Sequence, residues 1–226
     1  MKRLAAGSCI SLILGVAPAY GQAASSDPRR VEVSAGVEWQ GRTSFGSRDA
    51  NETTGSGGTF RLFSAASELT SVSGFAVRVS MPLIRRIAVE ATGRYSTPDI
   101  STRVTSDVET SNAPITAAVH VKQFALGGAA LWYPGVSLFG SRAMVFVRAG
   151  AAFDRRLEDD GTRVVDGTLI EAGGGLKYLL GSRRTGWWRA LGARADILAL
   201  ARGAAASLDG RTHISPALGA SMFVRF

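Results

Sequence analysis

HISPALGASMFVRF, residues 213–226, is the stretch on which the fold turns. Its even positions, Ile214, Pro216, Leu218, Ala220, Met222, Val224 and Phe226, are all apolar. Its odd positions, His213, Ser215, Ala217, Gly219, Ser221, Phe223 and Arg225, are mostly small or polar. Successive side chains of a β-strand point to opposite faces. The segment therefore reads as a strand with one greasy face and one wet face.

The same period of two recurs upstream. Val31, Val33, Ala35, Val37 and Trp39 oppose Glu32, Ser34, Gly36 and Glu38, and Phe75, Val77, Val79 and Met81 oppose Arg78 and Ser80. Comparable alternation predicts eight strands in all, at roughly 31–45, 72–83, 86–97, 115–133, 142–157, 162–180, 187–202 and 213–226. The fourth is the least regular. His120 and Lys122 mark its polar face, both faces turn apolar after Gln123, and a bulge would account for the change. Connections at 84–85, 134–141 and 181–186 are short, whereas those at 46–71 and 98–114 are long. Short turns at one end and longer loops at the other, with an even strand number, describe an all-β, eight-stranded antiparallel up-and-down transmembrane β-barrel.

Composition and leader agree with that fold. Glycine supplies 27 of 226 residues, which disfavours a helical bundle because each helical glycine costs about 1 kcal/mol. Lys2 and Arg3, an apolar run over 10–19 and small residues up to Ala23 have the order of a secretory signal peptide. The expected domains are thus a signal peptide, 1–23, cleaved after Ala23 or, as second choice, Ala19, and a barrel domain, 24–226. Cleavage would take two cations and no acid, lowering the net charge from +8 to +6. It would also remove Cys9, the single cysteine, which precedes the apolar run and so does not suit lipidation. Export argues against a nucleic-acid partner for this basic chain; anionic lipid headgroups suit the location better.

The placement of charge separates a membrane barrel from a soluble one. A soluble barrel turns its charged face to water. Here charges alternate with glycines such as Gly36, Gly150, Gly173, Gly175 and Gly192, as if to fit long side chains inside a narrow tube. The inward face is expected to carry Glu32, Glu38, Arg78, Glu90, Arg94, Lys122, Arg148, Glu171, Lys177, Arg194 and Asp196. Isolated buried charges are costly, so these should pair into one network with Arg194, Arg148, Glu171 and Glu90 near its centre, closing the lumen.

In architecture the chain resembles the small eight-stranded outer-membrane barrels of the OmpA/OmpX and opacity-protein type. The motif-specific part is the last strand, with Ala220, Met222, Val224 and the terminal Phe226 on one face. The resemblance implies that this strand is the insertion signal read by the barrel-assembly machinery. It also implies a location in the cell outer membrane, among lipid and lipopolysaccharide. With the chain ending at Phe226, no periplasmic peptidoglycan-binding domain is expected.

Chemistry is sparse. His213-Ile214-Ser215 resembles the His-x-Ser of outer-membrane lipid A deacylases, but Pro216 stands where that family has asparagine, and no acid lies between Asp209 and Phe226. Gly173-Gly174-Gly175 sits mid-strand without a following helix, so it is no phosphate loop. Asp154, Glu158, Asp159 and Asp160 offer oxygen ligands for calcium, yet Arg155, Arg156 and Arg163 interleave with them. Those arginines suit lipopolysaccharide phosphates instead. The expectation is a structural or surface-interaction barrel without catalysis, cofactor or metal, its loop partner unread. A small-solute channel is the first alternative and a lipid A hydrolase the second.

Overall fold

A computed structural model describes residues 30–105, 114–139, 142–158, 164–203 and 207–226. The expected leader and both candidate cleavage positions lie outside these residues, as do Asp159, Asp160 and Arg163. The strands are β1 (Glu32–Gln40), β2 (Thr43–Thr53), β3 (Thr59–Leu69), β4 (Val72–Ile84), β5 (Ile87–Ser96), β6 (Asp99–Thr105), β7 (Ile115–Trp132), β8 (Ser137–Leu138), β9 (Ala143–Glu158), β10 (Val164–Ser182), β11 (Ala190–Arg202) and β12 (His213–Arg225).

Eight of these strands close a tube. β1 pairs with β4, β4 with β5, β5 with β7, β7 with β9, β9 with β10, β10 with β11, β11 with β12, and β12 returns to β1, every pairing antiparallel. Closure leaves the wall without an edge, which an apolar solvent requires because it cannot satisfy free backbone groups. Arg30, Phe226 and the described parts of the connections at 85–86, 133–142 and 183–189 share one end, the turn end. The other is the loop end.

The alternation of the sequence becomes inside and outside. Along β1 the odd positions Val33, Val37 and Trp39 are exposed while Glu32, Ser34, Glu38 and Gln40 are buried. Phe75, Leu126, Ile170, Ile197 and Ile214 are more exposed still, at 58–70%. The tube is thus apolar outside and largely polar inside, the inverse of a soluble protein.

Two features depart from the sequence reading. First, the long connections are partly strand: β2 and β3 form a hairpin above the wall, and β6 joins it between β3 and β7. Second, β7 keeps one register against both neighbours from Val121 to Trp132, with no bulge. Val121, Gln123, Ala125, Ala129 and Leu131 face inward, so Lys122 is exposed on the outward face and is not a lumen residue. His120 and Lys122 sit near the loop end, where the outer face needs no apolar side chain, and their polarity carries no information about the lumen.

Candidate functional site: the occluded lumen

The expected charges other than Lys122 all bury their side chains inside the tube, where they fall into layers. The central layer holds four carboxylates and four guanidiniums. Arg78 on β4 donates to Glu38 on β1 at 2.7 Å, and Arg94 on β5 reaches the same carboxylate at 2.9 Å. Arg94 also pairs with Glu171 on β10, which binds Arg148 on β9 with its other oxygen. Arg148 lies 3.3 Å from Glu90 on β5, and Arg194 on β11 forks onto both Glu90 and Asp196, the latter at 2.8 Å. Arg78 closes the ring at 4.0 Å from Glu90 and 3.8 Å from Asp196. No side chain in this ring is more than 4% exposed. Of the eight wall strands all but β7 and β12 contribute a charge, so the network ties the wall together across its bore.

Below it, toward the turn end, Lys177 binds Glu32 and takes Tyr133 Oη as a 3.0 Å partner, and Arg225 holds the other oxygen of Glu32 at 3.0 Å. Phe146 and Phe223 are fully buried between these two layers. Arg194 stacks 4.6 Å from the Phe146 centroid, and the Lys177 ammonium lies 5.7 Å from Phe146 and 5.8 Å from Phe223. Aromatic faces attract cations, so the layers are coupled as well as stacked.

Above the ring the bore is apolar, filled by Leu169, Leu198, Leu200, Ala125, Ala152 and Ala217. Over this lies a second polar group. Arg202 donates to Thr43 at 2.8 Å, Ser215 at 3.0 Å and Gln40 at 3.0 Å, while Asp154 accepts from Gln123 at 2.7 Å and from Arg156 at 2.9 Å. Phe45, Leu69 and Val121 cap the tube, with Arg156 over the Phe45 ring at 5.0 Å.

Several of these residues escaped the sequence reading. Asp154, Arg156, Arg202, Gln123 and Gln40 share inward parity with identified neighbours but lie toward the loop end, where Asp154 and Arg156 are expected from the sequence to belong to a loop cluster. Phe146 and Phe223 were masked by the rule that inward means polar. Arg156 was expected to be a surface cation beside Arg155; it faces inward to Asp154, while Arg155 stays outside, 3.5 Å from Asp166. That leaves the surface cluster proposed for lipopolysaccharide without Arg156.

The glycines also act differently from expectation. A Cβ on Gly36, Gly173 or Gly192 would collide with a backbone carbonyl of the neighbouring strand, respectively that of Ala220, Ile197 or Tyr178. These glycines let strands approach. At Gly219, inside the lumen, a Cβ would instead meet Arg78 Nη2 and Asp196 Oδ2 at 3.4 Å, so there the absent side chain makes room for charge.

The His-x-Ser pair is not an assembled dyad. His213 Nε2 meets Asp209 Oδ1 at 3.0 Å, and that bond holds the aspartate below its ordinary pKa. Ser215 Oγ is fully buried and accepts from Arg202. No group of three or more potential metal-ligating side chains comes together among the described residues.

No family model and no curated protein matches the chain. Among solved structures, the crystal structure of the outer membrane protein OprG from Pseudomonas aeruginosa is similar, with a TM-score of 0.53 at 10% identity over 88% of this chain and 96% of that one. At that identity the likeness is one of fold: a closed eight-stranded barrel of the kind found in an outer membrane.

Proposed function

We propose that this chain is a non-catalytic outer-membrane barrel whose lumen is plugged by its own charges and whose loop end serves surface interaction. The observation that carries the reading is the closed ring of four carboxylates and four guanidiniums across the bore. Membrane residence is supported by the apolar outer wall and by aromatic side chains at both of its margins. Tyr95 packs on Phe124 at 5.0 Å toward the loop end, and Trp187 packs on Phe226 at 5.6 Å at the turn end. Such girdles sit at membrane interfaces. The leader-like segment supports export, and Ala220, Met222, Val224 and Phe226, all on the outward side of the terminal strand, support recognition by the barrel-assembly machinery. The same strand supports a kinship with OmpA/OmpX and opacity-type barrels.

Against a hydrolase stands the partnering of the two side chains: Ser215 Oγ accepts from Arg202 and His213 Nε2 meets Asp209, with no hydrogen bond between serine and histidine among the described residues. Outer-membrane lipid and lipopolysaccharide are the proposed surroundings, with the loop partner set by the hairpin above the wall. Fractionation with heat-modifiable gel migration tests this reading. Recovery in the outer-membrane fraction with faster migration before boiling is expected; a soluble periplasmic product would overturn it.

A further inference from the structure

The two ends of the tube differ in the carboxylates they offer their arginines. At the loop end three exposed arginines have carboxylate neighbours, Arg42 with Glu68 at 3.8 Å, Arg61 with Asp49 at 3.8 Å and Arg155 with Asp166 at 3.5 Å, while Arg48, Arg103 and Arg211 have none among the described residues. At the turn end Arg85, Arg86, Arg142, Arg183 and Arg184 are all exposed, and none pairs with a carboxylate among the described residues. The connections 85–86, 133–142 and 183–189 contain no Asp or Glu at all. Among the described residues the acid at this end, Glu32, is buried and taken by Lys177 and Arg225. These five cations share one rim, and no carboxylate among the described residues neutralises them.

They stand on a fixed frame. Tyr133 N–H donates to the Arg86 carbonyl at 2.8 Å, Leu179 N–H to that of Arg142 at 2.8 Å, and Arg189 N–H to that of Arg225 at 2.7 Å. These bonds knit successive turns into one rim. Exposed Ile84, Leu180, Phe139 and Trp187 lie beside the arginines. Arg183 stacks on Trp188 at 4.6 Å. Apolar surface, then aromatics, then guanidiniums is the order of materials met on leaving a bilayer through its headgroups.

We propose that this rim binds the phosphodiester headgroups of anionic phospholipids in the leaflet that meets the turn end. The proposal rests on the membrane reading and adds a lipid preference to it. Guanidinium presents parallel donors that match two phosphate oxygens, which makes arginine rather than lysine the fitting cation. The lipid's acyl chains would continue onto the apolar wall beside it, so a soluble phosphate would satisfy only half of the site.

Native mass spectrometry of the full chain, folded in neutral detergent and offered equal amounts of phosphatidylglycerol and phosphatidylcholine, tests it. Preferential retention of phosphatidylglycerol is expected, unaffected by millimolar inorganic phosphate. The doubles Arg85→Gln/Arg86→Gln and Arg183→Gln/Arg184→Gln should each reduce that preference roughly tenfold or more, at about a kcal/mol for each basic residue near an anionic surface. The loop-end double Arg42→Gln/Arg61→Gln should leave it unchanged. Equal retention of both lipids, equal loss in the loop-end control, or displacement by inorganic phosphate would each overturn the proposal. Should a turn-end double fail to fold, the parent decides: its preference must fall as salt rises, and a salt-independent one refutes electrostatic capture. A parent that folds and shows no preference sinks this inference alone. A parent that never shows heat-modifiable migration brings down the membrane reading with it.

Discussion

At the scale of the residue, position relative to the wall decides what a substitution costs. Ala195 is exposed on the outer face between Leu176 of β10 and Ala220 of β12, well away from both rims. An arginine there meets hydrocarbon, so Ala195→Arg is expected to destabilise the barrel by about 2–4 kcal/mol. Ala193→Arg, nearer the turn end, should cost less because its side chain can reach the headgroups. Urea titration of the protein refolded into vesicles measures both, and equal costs would mean that the apolar wall is not in a bilayer. Glycines give a second comparison. Gly173→Ala drives a Cβ into the Ile197 carbonyl, a backbone group that cannot swing away, whereas Gly219→Ala meets only the ends of Arg78 and Asp196. The first should cost about 1–3 kcal/mol by overpacking; the second should be close to neutral in the same titration. Inward parity was legible in the sequence at these positions. The reason for glycine was not, because a strand-to-strand approach leaves no trace in a single strand's pattern.

At the scale of the element, alternation is visible only where the two faces meet different solvents. β4, β5, β11 and β12 separate hydrocarbon from lumen, and their faces could be assigned from sequence alone. β2, β3 and β6 have water on most of both faces, so nothing selects apolar residues at every second position, and the sequence reads as loop. Their strands persist because backbone pairing continues upward from the wall, with bulges between Ser44 and Ser47 and between Ala50 and Asn51 absorbing the bend. Side-chain bonds across strands, such as Ser67 to Thr102 at 2.6 Å, help to hold them. The hairpin tip is a tight turn in which Thr54 and Gly58 bond to each other through backbone and hydroxyl, with Gly57 at φ 84°. Being solvated on all sides and remote from the capping residues Phe45, Leu69 and Val121, the tip should accept an epitope between Gly55 and Ser56 without loss of heat-modifiable migration. The epitope should be reached by antibody on intact cells. One inserted between Arg184 and Thr185 should not be. The reverse labelling would invert the topology.

At the scale of the whole molecule, the question is whether the tube conducts, and the stoichiometry of the central ring carries a prediction. Four acids and four arginines neutralise each other with none left over, so the ring has no net charge to relieve by admitting counter-ions. Three of the four carboxylates are each held by two arginines from other strands, Glu38 by Arg78 and Arg94, Glu171 by Arg94 and Arg148, and Glu90 by Arg148 and Arg194, while Asp196 is held by Arg194 of its own strand. Moving any one group to open a path would strip a partner from at least one other, and an unpaired buried charge costs about 3–5 kcal/mol. The apolar plug of Leu169, Leu198 and Leu200 lies in series with the ring, so opening the ring alone still leaves a dry constriction. The parent should therefore be silent in planar-bilayer recordings. Arg194→Ala removes the group shared by Glu90 and Asp196 and empties the volume of a guanidinium beside Phe146. Glu90 then retains Arg148 at 3.3 Å and Arg78 at 4.0 Å, but Asp196 keeps only Arg78 at 3.8 Å, too far to replace a direct pair, and water is its remaining partner. Arg194→Ala should accordingly lower stability by about 3–5 kcal/mol and give brief, irregular openings, whereas Arg194→Lys, which keeps the charge and most of the volume, should stay silent while losing the fork. Steady large conductance in the parent would refute the plug and favour a small-solute channel. Silence in Arg194→Ala would place the seal in the leucine layer above, where Leu200→Ser would then be the substitution that opens it.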